Sequence, residues 1–203
     1  MAQARERLVI LGLRLLFLLV LALALISGCG DNLSTTHLPA VDNYDFYLSS
    51  DLDSNARTAY FEAVRQWTMY TDVQITTHEG YELCGIGCFD VFLLPRWEID
   101  DLTDSTYIGV TVPGAITVAT DMDYDETQDT FIHEMGHALG LMHPCTSPCS
   151  DYAVMNPSYR GGADHVACAD VDQFYSERGL EVNRFCNDSP GALDETLDGG
   201  PVE

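Results

Sequence analysis

Residues 131–144 read FIHEMGHALGLMHP, with histidines at His133, His137 and His143 and a glutamate, Glu134, directly after the first. Imidazole nitrogens suit zinc, and a carboxylate beside them suits general-base work. His133 and His137 are one helical turn apart and share a face, whereas His143 cannot lie on that face if the helix runs straight on. Three neutral imidazoles occupy three corners of a tetrahedron and leave the fourth for water. That is the pattern of a catalytic zinc and not of a closed structural one.

The spacing therefore demands a helix, a break and a return. The stretch DETQ predicts the start of the helix, with Asp125 as N-cap and Gln128 at the third helical position reaching back. Gly140 predicts its end, because glycine readily takes the left-handed conformation that closes a helix and turns the chain, here bringing His143 toward the other two. Glu134 then leans over the open position. Upstream, DSNARTAYFEAVRQWTMYT places Ala56, Tyr60, Ala63, Trp67 and Tyr70 on one face behind a cap at Asp53 or Ser54, the signature of a core-packing helix. VQITT, FDVFLL, YIGVTV and AITVAT are short β-branched or aromatic runs bounded by Gly, Pro and Asp, and they read as strands. ADVDQFYSER reads as a final helix. The fold class is α+β, a mixed twisted sheet with helices packed on it, and Tyr107 to Val112 is the candidate edge strand for docking an extended peptide.

Composition bounds the partners. The 203 residues carry a formal net charge of −23, and the chain contains no lysine. Such a surface repels nucleic acid and anionic lipid heads and attracts cations and basic peptides. The first residues hold Arg5, Arg7 and Arg14, an apolar run from Leu15 to Ile26, and then ISGC. That reads as a secretory signal, and ISGC resembles the bacterial lipobox, in which cleavage before the cysteine leaves it to be lipidated. The expected organisation is a signal peptide over 1–28, a tether over 29–44 lipidated at Cys29, a catalytic domain over 45–187, and an acidic disordered tail over 188–203. Removing Cys29 from the seven cysteines leaves six, an even number suited to an oxidising compartment. The implied location is the bacterial cell envelope, lipid-anchored outside the cytoplasmic membrane at the outer membrane or cell surface, or secreted.

HEMGHALGLMH fits H-E-x-x-H-x-x-G-x-x-H and resembles the signature of the metzincin zinc endopeptidases. Within them it is most similar to the matrixins. Their methionine turn continues Met-x-Pro-x-Tyr, matched here in YAVMNPSY by Met155, Pro157 and Tyr159, and in the family this segment forms a wall of the S1′ pocket. The resemblance implies a metzincin-like catalytic domain with an active-site helix, a Met-turn and a C-terminal helix. It implies one catalytic zinc on His133, His137 and His143, Glu134 as general base, and protein or peptide substrates. The residue four before the first histidine helps set the S1′ pocket in matrixins, which makes Asp129 a candidate there. Asp121, Asp123 and Asp125 alternate where matrixins often bind calcium; a solvated acidic turn is the other reading. No Pro-Arg-Cys-Gly-like stretch precedes the domain, so latency by a cysteine switch is not expected. The segment between His143 and Met155 is longer than is usual in matrixins and carries CTSPC. Cys145 with Cys149, Cys84 with Cys88, and Cys168 with Cys186 are candidate disulfides among the fifteen pairings six cysteines allow.

The functional expectation is a monomeric, lipid-anchored zinc endopeptidase. The alternative is a zinc-bearing envelope lipoprotein that binds without catalysis, and Glu134 favours the enzyme, since a retired site is free to lose its base.

Overall fold

A computed structural model of the protein describes residue 41, residues 43–82, residue 84, and residues 87–103, 108–143, 153–155 and 165–180. Over these the chain is α+β, with β1 (Asn43–Leu48), α1 (Ser54–Tyr70), β2 (Gln74–Glu79), β3 (Cys88–Leu94), α2 (Arg96–Thr103), β4 (Gly109–Val112), β5 (Ala115–Ala119), α3 (Tyr124–Ala138) and α4 (Cys168–Glu177). The strands form one mixed sheet in the order β2-β1-β3-β5-β4. β1 pairs parallel with β2 and β3, β3 pairs parallel with β5, and β4 runs antiparallel to β5.

Alternation along the strands divides the sheet into two faces. Tyr44, Phe46 and Leu48 of β1, with Val91, Ile116 and Val118, turn toward α1 and α3 and form the main core. Val110, Val112, Ala115 and Ala119 face the other way and pack with Ile99 of α2 in a smaller cluster. Each large side chain so buried contributes about 1.5–3 kcal/mol. The aromatic stripe of α1 lies where its spacing predicts: Ala56, Tyr60, Ala63 and Trp67 are buried and Tyr70 is partly so. Asp53 caps that helix, its carboxylate accepting the Ala56 N–H at 2.9 Å.

Two elements were not anticipated. β1 takes in Asn43 and Tyr44, which the sequence reading left in the tether, and α2 follows Pro95. The strand predicted over 107–112 is observed as β4 over Gly109–Val112, and it lies at the edge of the sheet. Ala119 N–H donates to the Ile108 carbonyl at 2.9 Å, which marks that pair as hydrogen-bonded in the antiparallel ladder. Alternate residues follow, so the backbone groups of Gly109 and Thr111 turn away from β5 toward the edge, while their side-chain positions face α3. Among the described residues no helix is long and apolar enough to cross a membrane.

Candidate metal centre

α3 is the helix that the histidine spacing requires, but it begins earlier than predicted. Asp123, not Asp125, is its N-cap, its carboxylate accepting the Glu126 N–H at 2.9 Å, and Asp125 lies in the first turn. All three alternating aspartates are competent caps, and the chain uses the middle one. The C-terminal prediction holds. Leu139 is the C-cap and Gly140 follows with φ +92°. Gly140 N–H donates to the His137 carbonyl at 2.9 Å and Leu141 N–H to the Gly136 carbonyl at 2.9 Å, which together make a Schellman closure. Arg178, the C-cap of α4, donates to the Leu139 carbonyl at 3.1 Å and to the Tyr44 hydroxyl at 3.1 Å, so the end of α3 is tied to the end of α4 and to β1.

The return brings His143 back. The Nε2 atoms of His133, His137 and His143 form a near-equilateral triangle with sides of 3.1, 3.2 and 3.1 Å. These contacts are not hydrogen bonds in the usual sense. His133 Nδ1 lies 2.6 Å from the Val154 carbonyl and His137 Nδ1 lies 2.9 Å from the Leu141 carbonyl. A carbonyl only accepts, so both Nδ1 atoms carry the proton and both Nε2 atoms are bare lone pairs. Lone pairs converging at this distance repel unless a cation lies among them. Tetrahedral zinc with Zn–N of about 2.0–2.1 Å sets its nitrogens about 3.3–3.4 Å apart, close to the observed triangle. The donor set and its tautomers fit that ion, and among the described residues these three histidines are the group of His, Cys, Asp or Glu able to hold a metal.

The electrostatics agree with this. Burial holds the His133 imidazole below its ordinary range; burial, with His133 close by, lowers His137 to about 3 and His143 to about 4. All three are neutral near pH 7, as ligation requires. Burial pushes the Glu134 carboxyl up to about 8 in the metal-free site, against a hydrogen bond from Thr111 that favours ionisation. A dication nearby reverses that balance.

The support beneath the triangle joins the predicted Met155 and Trp67 to Gly136, Asp170 and Gln173, for which the sequence carries no signal. Gly136 lies between the first two ligands on α3, and a Cβ there would meet Met155 Sδ at 2.3 Å and Trp67 Cζ2 at 3.0 Å. Its bare Cα lets Met155, fully buried, pack directly against the helix. The predicted methionine turn is thus next to the ligands. Asp170 of α4, 1% exposed, holds that turn: its carboxylate accepts the N–H groups of Val154 at 2.9 Å, Met155 at 3.1 Å and Ala167 at 2.9 Å. Val154 in turn presents its carbonyl to His133. Gln173, one turn along α4, donates to the Met142 carbonyl at 2.8 Å and so fixes the residue before His143. Trp67 Nε1–H donates to the Ile132 carbonyl at 2.9 Å and locks α3 to α1.

Other predicted site residues are distributed as follows. Asp129 is half-buried on α3 one turn before His133. The three aspartates proposed for calcium are exposed and are not gathered into a metal-holding group; Asp121 pairs with Arg96 at 3.2 Å, and Asp123 serves as the cap. Cys84 and Cys88 are joined in a disulfide. Cys168 is disulfide-bonded. Cys29, Cys145, Cys149, Pro157, Tyr159 and Cys186, the signal peptide and the acidic tail lie outside the described residues, as does most of the tether. His78 pairs with Asp45 at 2.8 Å and stacks on Tyr47. No family model matches the chain, and a search of curated proteins finds no match.

Proposed function

We propose that the protein is a metzincin-like zinc endopeptidase that hydrolyses peptide bonds in proteins or peptides, tethered outside the membrane by lipid on Cys29. The observation that carries this reading is the convergence of the Nε2 atoms of His133, His137 and His143, with a buried glutamate directly after the first of them on the same helix. A bound zinc ion would supply Lewis acidity, polarising the scissile carbonyl and easing deprotonation of the attacking water. His133, His137 and His143 would hold it, oriented by the Val154 and Leu141 carbonyls for the first two. Glu134 takes the water's proton and delivers it to the leaving amine nitrogen, so no covalent acyl-enzyme forms.

Extended substrate would pair with the outward backbone groups of Gly109 and Thr111 on β4. The four residues of β4 are buried. Binding without catalysis explains the histidines but gives no reason for a desolvated carboxylate beside them, which is costly to keep.

The test is digestion of casein by the purified protein with zinc and with a chelator, read by mass spectrometry. Glu134→Gln should keep one zinc per chain and lose about 10²–10⁴-fold in turnover. Absence of stoichiometric zinc from the wild type would refute the reading.

A further inference from the structure

Glu134 is held by the edge strand as well as by its own helix. Its Oε2 lies 2.7 Å from Thr111 Oγ1, and the same hydroxyl lies 2.8 Å from the Glu134 backbone oxygen. A hydroxyl has one proton, so it donates to one of these at a time, and an ionised carboxylate is the stronger acceptor. The other carboxylate oxygen, Oε1, accepts no hydrogen bond from the described residues. It lies over Gly109, where a Cβ would stand 2.9 Å from Oε1, 2.8 Å from Glu134 Cγ and 2.6 Å from Thr130 Cγ2. Gly109 has no positive φ to explain it, so what it provides is space.

We propose that β4 divides the labour of the Glu134 carboxylate. Thr111 anchors Oε2 by its hydroxyl, and Gly109, lacking a side chain, keeps room for Oε1 as the oxygen that takes the proton from water and returns it to the leaving amine. Both are positioning residues, since each acts through Glu134. The proton passes from water to Oε1 and from Oε1 to nitrogen, and Thr111 keeps its own proton throughout. This rests on the endopeptidase reading above. Its consequence is that the strand assigned to substrate pairing also sets where the base stands.

Thr111→Val exchanges the hydroxyl for a methyl of the same shape. With zinc content unchanged, kcat should fall about 10- to 100-fold, the range for a hydrogen bond to a charged group. KM should stay within about twofold, because peptide pairing uses the backbone of β4. Thr111→Ser, which keeps the hydroxyl and loses the methyl, should recover kcat to within about threefold of the wild type. A packing role would give the opposite order, with Val spared and Ser impaired. Gly109→Ala should lower kcat with the Thr111 hydroxyl still in place. A second readout needs no activity: in the metal-free protein at alkaline pH, where Glu134 is ionised, the infrared carboxylate band that vanishes in Glu134→Gln should shift in Thr111→Val and stay in Thr111→Ser. A wild type that cleaves no peptide overturns the endopeptidase reading and the catalytic role of Thr111 with it. A cleaving wild type matched in kcat by Thr111→Val, or an unmoved infrared band, overturns this inference alone.

Discussion

Replacing Gly136 with alanine should weaken zinc binding while costing the fold little. The new Cβ would stand 2.3 Å from Met155 Sδ, 3.3 Å from Met155 Cε and 3.0 Å from Trp67 Cζ2. Comfortable contacts between such atoms are about 3.5–4.0 Å, so something must retreat by about 1 Å. Trp67 is fully buried and hydrogen-bonded to Ile132, which leaves Met155 and its turn to move. Overpacking of this kind costs about 1–3 kcal/mol, while exchanging glycine for alanine inside a helix returns about 1 kcal/mol in propensity. The net loss of stability is therefore only about 0–2 kcal/mol and is a poor readout. Metal affinity is a better one. Displacing the turn pulls the Val154 carbonyl away from His133 Nδ1, and losing such an outer partner typically costs about 10–100-fold in affinity. Competition against a chromophoric chelator measures this directly. Met155→Ala relieves the clash, so the double variant should bind zinc more tightly than Gly136→Ala alone, a non-additivity that identifies the contact. Unchanged zinc affinity in Gly136→Ala would show that the turn does not position His133.

Asp170→Asn should lower both stability and zinc affinity, because one carboxylate oxygen becomes an N–H₂ facing backbone N–H donors; urea unfolding should report about 1–3 kcal/mol, and the variant should recover neither with added salt. The metal-free protein should be most stable near pH 6.5. Below that the unfolded histidines, at about 6.5, bind protons that the folded His133, His137 and His143 do not, so stability falls with pH toward 4. Between 6.5 and 8 the folded Glu134 still holds a proton that the unfolded chain has lost, so stability falls by about 1–2 kcal/mol as pH rises, and Glu134→Gln should abolish that second decline in denaturant titrations. Cys29→Ser should abolish acyl labelling of the protein, which a mature N-terminus elsewhere in the wild type would contradict. Asp129→Leu should remove a preference for Lys or Arg just after the cleaved bond in a peptide library; the same preference in both proteins would confine Asp129 to the helix.

The histidine triangle was legible because its geometry is local. Two histidines a turn apart and a glycine past the second encode a helix, its end and the return without reference to the rest of the chain. The core helix α1 was legible for the same reason, from its aromatic stripe and Asp53. The start of α3 was misplaced because Asp121, Asp123 and Asp125 all qualify as caps, and only the backbone path selects one. β1 was missed although Tyr44, Phe46 and Leu48 alternate, since its first residues follow directly on a polar segment. Asp170, Gln173, Thr111 and Gly109 could not be assigned roles, because each acts on residues 15 or more positions away, on another element. In the sequence Asp170 is one acid among 32 acidic residues, and burial alone sets it apart.

The chain contains two tryptophans, and the fold has put them in opposite surroundings. Trp97 is 63% exposed on α2, whereas Trp67 is fully buried with its indole hydrogen-bonded to the helix that carries the ligands. Dissolved acrylamide quenches the first and scarcely reaches the second. The emission that survives quenching therefore comes from an indole whose ring lies against Gly136, between His133 and His137. The protein carries its own optical reporter of how tightly that helix is seated, readable without label or substrate.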